Sequence, residues 1–495
     1  MMRSIIISLA RKANFAAIDS NESIAFTRFF MNNKSFLRTW VIGDRKFYKM
    51  VITLLIPIIL QNTVSNFVNL LDNLMIGQVG TDQMSGVAIV NQLMMVFNLT
   101  VFGALGTPSI FASQFYGKKD DEGVRNTLRF KLLLMLIVVI GGLFVFIGFG
   151  TPLINLFLTD GSAGAQAALK YAQSYLSVML WGLLPFAISN AYASHLRSVG
   201  QTFIPMISGI AAMLTNLVGN YILIFGHFGA PTMGVTGAAV ATVISRFVEM
   251  AIVVVYAHKS VDRFPFMKGL YRKLTIPGNL AKTMLIKGLP LLANEVLWSL
   301  GMTTMTQCYS TRGYMVIAAL NIASTISNVF MVMTFACGDA VAILVGQKLG
   351  SGEIEEAKHT AWKLAIFNVI TCIVISSIMA LFSGIVPNLY NTEPEIRALA
   401  TNFLRVSALA MPLIAFAHCC YFTLRSGGKM LITFIFDSGF MWCLSIPLAM
   451  ALTRMTNMPI IPLYLTIQML ELPKCILGFF MMKKGNWANN MVQDY

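Results

Sequence analysis

MVITLLIPIILQNTVSNFVNLLDNLMIGQVG, residues 50–80, begins with an apolar run long enough to cross a bilayer. About 20 helical residues, rising roughly 1.5 Å each, span a hydrocarbon core of about 30 Å. The same stretch then places a carboxylate, Asp72, within the apolar segment. A charge at that depth costs roughly 2.5–3.5 kcal/mol on insertion scales, so an acid there calls for a functional reason.

The rest of the chain fits this reading. Of its 495 residues, 56% are hydrophobic and 12% charged, and the mean hydropathy is +0.71. Soluble domains carry about twice that charged fraction. Apolar runs of helical length recur from end to end, which predicts an all-α polytopic membrane protein and excludes a barrel of short alternating strands. Twelve spans are expected, starting near residues 50, 84, 129, 172, 203, 235, 284, 317, 363, 400, 430 and 461. An even number puts both termini on one side. If that side is cytoplasmic, the 36 Lys and Arg divide as 29 inside, 4 outside (Lys170, Arg312, Arg397, Arg454) and 3 within spans (Arg246, Arg405, Lys474). That split follows the positive-inside rule and orients a multi-pass protein of the plasma (inner) membrane with both termini cytoplasmic. The net charge of +15 therefore implies no nucleic-acid partner. The seven cysteines lie in or beside spans and read as small apolar side chains.

An internal repeat organises the chain. At a shift of 233 residues Pro57 falls on Pro290, Gly80 on Gly313, and QFYGKKDDE from Gln114 on QKLGSGEIE from Gln347; at 228, LRSVGQ from Leu196 falls on LRSGGK from Leu424. Two parallel halves of six spans should be related by a pseudo-two-fold along the membrane normal, as in transporters that rock two lobes about a central site. The expected organisation is a poorly ordered extension at 1–47, a first lobe at 48–258, a linker at 259–283, a second lobe at 284–482 and a tail at 483–495.

Along the first span Asn62, Asn66, Asn69, Asp72 and Asn73 share one helical sector, and Asn216 and Asn220 are spaced i, i+4 in the fifth. Asn91 and Asn98 in the second are i, i+7, and suit interhelical hydrogen bonding equally well. Such faces are satisfied only by each other or by a water-filled cavity. No Lys or Arg in the first, second or fifth span's apolar stretch is placed to pair with Asp72. In the second lobe Glu295, Asp339 and Asp437 are candidate acids, with Gly338 a possible break in the helix that carries Asp339. Arg246 with Glu249, and Glu471 with Lys474, are i, i+3 pairs expected to neutralise each other.

Pro57 with Asp72, then MIGQVG, QFYGKKDDEGVR, LRSVGQTFIP, NLVGNYILIFGHFGAPTMGVTGAAVATVISR, KGLP and VGQKLGSGEIEEAK together resemble the multidrug and toxic compound extrusion (MATE) family over residues 48–482. The resemblance implies a secondary antiporter exporting amphipathic, cationic drug-like compounds in exchange for H⁺ or Na⁺, acting as a monomer without a cofactor or metal. It implies an ion-coupling set of Asp72, Asn216, Asn220 and Thr242, with Pro57 as a helix kink. Many relatives carry a second Asp where this chain has Asn220; a single buried carboxylate tilts the reading toward protons. Asn69, Phe186, Tyr192, Trp298, Met302, Phe335 and Phe416 are expected to line the cavity, and the 32 methionines suit an adaptable one. The alternative in the same superfamily is a flippase for a lipid-linked saccharide, which would need cations to hold a diphosphate. An intramembrane enzyme is more distant, because the chain contains no HExxH, GxSxG, Walker or dinucleotide motif.

Overall fold

A backbone in hydrocarbon must pair every N–H and C=O internally, and helices do so within one segment. The computed structural model describes residues 43–158, 163–272, 275–390 and 392–495, apart from the side chains of residues 69, 70, 73, 74, 81, 163 and 389. Among the described residues it contains helices and no strands. The first lobe comprises α1 (Arg45–Gly77), α2 (Thr81–Lys118), α3 (Asp121–Asn155), α4 (Gly164–Ser198), α5 (Phe203–Phe225) and α6 (Val235–Lys259). The second comprises α7 (Gly278–Ser310), α8 (Tyr314–Gly350), α9 (Ile354–Phe382), α10 (Pro394–Ser426), α11 (Met430–Met455) and α12 (Ile460–Lys484). Eleven of these are long and apolar enough to span a membrane. The twelfth, α7, has the length at 33 residues, but Lys287, Asn294 and Glu295 dilute its apolar character.

At the start of α1, Asp44 caps the helix by accepting from the Phe47 amide at 2.7 Å. The expected N-terminal extension lies mostly outside the described residues. Each lobe has its own apolar core. One gathers Val90, Met94, Phe97, Met135 and Leu183, and the other gathers Ile322, Phe403, Leu404, Met411 and Leu463. Pro57 and Pro290 both sit inside continuous helices. Gly338 does not break α8, which runs unbroken from Tyr314 to Gly350. A Cβ at Gly338 would meet the Phe422 ring at 2.7 Å, so the glycine serves close packing against α10.

The repeat motifs meet where the lobes touch. A Cβ on Gly117 would lie 1.9 Å from the Gln347 carbonyl oxygen, and one on Gly350 would lie 1.8 Å from that of Gln114. Both pairs are equivalent at the 233-residue shift. The glutamine side chains repeat the exchange: Gln114 Nε2 donates to the Ser426 carbonyl at 2.9 Å and Gln347 Nε2 to the Ser198 carbonyl at 3.1 Å. Those acceptors are themselves equivalent at the 228-residue shift.

The last eleven residues lie over this contact. Gln114 Oε1 accepts from the Met491 amide at 2.7 Å, Lys118 Nζ donates to the Val492 carbonyl at 2.8 Å, and Asn490 Nδ2 donates to the Gly350 carbonyl at 3.3 Å. Trp487 is 2% exposed and Val492 is fully buried. The interlobe segment is pinned on α3, where Arg129 donates to the carbonyls of Leu270 (2.8 Å) and Gly269 (2.9 Å).

Gly117→Ala forces a methyl group into the Gln347 backbone, an overpacking cost of about 1–3 kcal/mol. In a cysteine-free background carrying Ser113→Cys, a position 2% exposed at this contact, alkylation should be slow. Adding Gly117→Ala should speed it by about tenfold; an unchanged rate would show that the lobes do not separate here.

Candidate functional site

Asp72 projects from α1 toward α5 and α6. Asn220 Nδ2 donates to Asp72 Oδ1 at 2.8 Å. Asn216 Nδ2 donates to Asp72 Oδ2 at 2.8 Å and Oδ1 at 3.0 Å, while its amide oxygen accepts from Thr242 at 3.0 Å. The Thr242 hydroxyl also stands 2.9 Å from the Ala238 carbonyl. The i, i+4 spacing on α5 puts both amides on the carboxylate, and both asparagines are buried. Asn220 Oδ1 is buried and has no hydrogen-bond partner among the described residues. Tyr175 of α4 is a further neighbour that sequence reasoning missed, close to Asp72, Thr242 and Arg246.

Among the described residues no cation lies within ion-pair distance of Asp72. Arg246 is turned elsewhere: its guanidinium donates to the Gly182 carbonyl at 3.3 Å and stands 4.8 Å over the Phe186 ring. The expected pairing of Arg246 with Glu249 is not formed, since Glu249 instead accepts a 3.5 Å contact from Ser189.

The second lobe settles its acids differently. Asp437 receives Lys474 Nζ at 2.9 Å and Asn294 Nδ2 at 3.1 Å. Lys474 reaches Glu471 only at 4.0 Å, so the i, i+3 pair read from sequence is secondary to a contact between helices. Asn294 also bonds Tyr421 at 3.2 Å and Ser438 at 2.7 Å, where α11 winds into π-type turns at Ile435–Gly439 and Met441–Ser445. Such turns recur at functional sites. Glu295 accepts from the Tyr421 hydroxyl at 3.4 Å and faces Gly103 of α2. Asp339 has Arg197 of the first lobe and Arg425 of the second as its charged neighbours.

The candidate lining residues divide. Trp298 and Met302, one turn apart on α7, and Phe335 on α8 are exposed. Phe186 packs on the first-lobe core, and Phe416 faces Trp362 of α9 at 6.4 Å between ring centres. Tyr192 cannot line a cavity: it is 1% exposed, and its hydroxyl bonds that of Tyr271 in the interlobe segment. The side chain of Asn69 lies outside the described residues.

The MatE family model matches residues 57–222 and 290–451. The chain is 24% identical over 413 residues to the probable multidrug resistance protein YoeA of Bacillus subtilis, covering 82% of this chain and 87% of that one. It is also 24% identical to the probable multidrug resistance protein NorM of Thermotoga maritima, over 90% of this chain and 94% of that one. Among solved structures, the Vibrio cholerae MATE transporter VcmN superposes with a TM-score of 0.79 at 18% identity, covering 90% of this chain and 98% of that one. An outward-facing multidrug resistance MATE family transporter gives 0.78 at 20%, covering 89% and 96%.

The Asp437–Lys474 contact makes a test of the second lobe. Lys474→Gln leaves a carboxylate without its cation and should destabilise the folded protein by on the order of 3 kcal/mol. Adding Asp437→Asn should restore most of that loss. Thermal melting of the four proteins in one detergent gives the coupling, and strictly additive losses would show that the pair is not an interacting unit.

Proposed function

The chain belongs to the MatE family, which its two lobes match separately, and on that premise we propose that this efflux transporter is an antiporter coupled to Asp72. It exports amphipathic cations in exchange for H⁺ as its two lobes rock. The supporting observation is a carboxylate in an apolar span that has no cationic partner among the described residues and is held instead by the amides of Asn216 and Asn220.

With Asp72 ionised, Asn216 turns its NH₂ toward both carboxylate oxygens, and its own oxygen takes the Thr242 hydroxyl proton. With Asp72 protonated, rotation of the Asn216 amide would let its oxygen accept the new O–H and its NH₂ donate to Thr242, whose hydroxyl has the Ala238 carbonyl within reach at 2.9 Å. Charge on Asp72 is thus answered by one amide rotation. An ionised Asp72 attracts a cationic cargo, and proton loading removes that attraction, so cargo and proton compete for one group. Trp298, Met302 and Phe335 supply exposed apolar surface for the cargo. A Na⁺-coupled version has one observation of its own, the free Asn220 Oδ1, which with Asp72, Asn216 and Thr242 would complete an oxygen set. A flippase for a lipid-linked saccharide is less favoured, because Arg246 and Lys474 are engaged by Gly182 with Phe186 and by Asp437.

The positive-inside split supports a cytoplasmic position for the Gln114–Gln347 contact and the tail, and on that orientation this conformation is closed inward. A cysteine at the exposed Lys268 should label only from the cytoplasm; labelling from outside intact cells would invert the assignment.

Proteoliposomes taking up a fluorescent organic cation under an imposed pH or Na⁺ gradient test the coupling. Asp72→Asn, similar in size but unable to change charge, should abolish gradient-driven transport while leaving expression and melting temperature unchanged. Asn216→Ala and Asn220→Ala should slow it by about 3–10-fold, a loss of roughly 1 kcal/mol of hydrogen bonding. Uphill transport by Asp72→Asn with the same gradient dependence would move the coupling role to Glu295 or Asp339.

A further inference from the structure

Two arginines stand apart from the transport site. A cavity of about 500 Å³ opens between the end of α9 and the start of α10, lined by Asn388, Arg397, Thr401, Asn402 and Arg405 among others. No acidic residue lines it. Among the described residues neither guanidinium has a carboxylate within 4.0 Å, and Arg397 Nε is buried without any hydrogen-bond partner. A buried, unpaired guanidinium nitrogen is costly unless something absent from the protein itself completes it. Under the inside-positive charge split Arg397 is also one of only four cations of 36 in loops on the disfavoured side, and Arg405 one of three within spans.

The spacing suits a single anion. Arg397, Thr401 and Arg405 follow at i, i+4 and i+8 on α10, so the two arginines start about 12 Å apart along the axis. Helix α10 has 33 residues, about 50 Å of helix, which exceeds a hydrocarbon core of about 30 Å at both ends. Arg397, three residues after Pro394, therefore lies at headgroup level. Arg405 emerges from just inside the apolar layer, and its long stem lets the guanidinium rise toward the same point. Below it the wall turns apolar and exposed: Leu409, one turn further along α10, is 62% exposed, and Leu381 of the adjoining α9 is 78% exposed. A cationic pocket continuing into a greasy face matches a phosphodiester with an acyl chain beneath it. A free phosphate would leave that face unused.

We propose that this cavity binds the phosphate headgroup of an anionic phospholipid, held by Arg397 and Arg405 with the Asn402 amide and with its acyl chains along Leu409 and Leu381. Bidentate guanidinium–phosphate bonds supply the affinity. The site is separate from Asp72 and does not depend on its role.

The test compares the full chain with Arg397→Gln/Arg405→Gln in nanodiscs of phosphatidylcholine alone or with about one third phosphatidylglycerol. Wild type should melt about 3 °C or more higher in the anionic discs, as expected for a ligand bound only by the folded state. The double variant should match wild type in phosphatidylcholine and lose the gain. Native mass spectrometry should find one phosphatidylglycerol retained on wild type and none on the variant. Equal gains, or equal lipid retention, in both proteins would overturn the proposal. So would a full gain for wild type from inorganic phosphate in phosphatidylcholine discs, since that assigns the cavity to a free anion. If the variant is itself unstable in phosphatidylcholine, Arg405→Lys, which keeps the charge but loses the bidentate fork, should retain part of the gain. Loss of none of it counts against the site.

Discussion

Two glycines allow the halves of this molecule to meet. Gly117 and Gly350 each lie against the backbone of the other lobe so closely that any side chain would overlap a carbonyl group. Around that contact, Gln114 and Gln347 exchange side-chain hydrogen bonds with the carbonyls of Ser426 and Ser198. Equivalent residues of the two repeats thus contact one another across the pseudo-two-fold. The packing of α2 against α7 and α8 and the seating of the tail on Gln114 and Lys118 both depend on this approach. A duplicated sequence that folds into two equivalent lobes has only such near-axis positions at which a motif can contact its own copy, which explains why QFYGKKDDE and QKLGSGEIE are the most legible parts of the repeat.

The lobes part company over their acids. A carboxylate in an apolar layer needs either an opposite charge or a set of dipoles. The second lobe uses the charge: Lys474 crosses from α12 to Asp437 on α11, with Asn294 completing the carboxylate. The first lobe uses dipoles, two amides and a hydroxyl around Asp72. The difference matters chemically. An acid bonded to a lysine resists losing its charge, whereas one held by reversible amides is satisfied in either form, because an amide offers a donor at one end and an acceptor at the other.

Much of this could be read from the chain and some could not. The span count, the doubling and the shared polar face of Asn216 and Asn220 follow from periodicity and spacing, which report on single helices. Their partnership with Asp72, and that of Thr242, came only through the family resemblance, because spacing within one helix does not name its neighbour. The Asp437–Lys474 pair was not legible: the residues are 37 apart on different helices, and the nearer Glu471 offered a local partner that the fold ranks second. Tyr192 was misplaced because an aromatic beside polar residues in a span reads equally well as lining or core. The deciding partner, Tyr271, lies in the segment between the lobes. Gly338 could be read as a possible break or as part of an unbroken helix, and it is a packing notch, since glycine in a helix carries both meanings until the facing side chain, here Phe422, is known.

The strength of the interlobe contact bears on the antiport proposed for this chain. The hydrogen bonds that the two glutamines make across the contact join neutral donors to backbone carbonyls, and Lys118 donates to the carbonyl of Val492 beside them. Neutral hydrogen bonds of this kind contribute about 0.5–1.5 kcal/mol each after exchange with water, and an exposed lysine adds little more. Turning a two-state equilibrium from 1:99 to 99:1 takes about 5.5 kcal/mol of differential binding, which a few such bonds together with one ion and one cargo molecule can supply. A latch of buried ion pairs would have exceeded what protonating a single carboxylate could tip. Glycine contacts and amide bonds keep the closed state specific in geometry while leaving it reversible in energy, as a carrier driven by one titrating group requires.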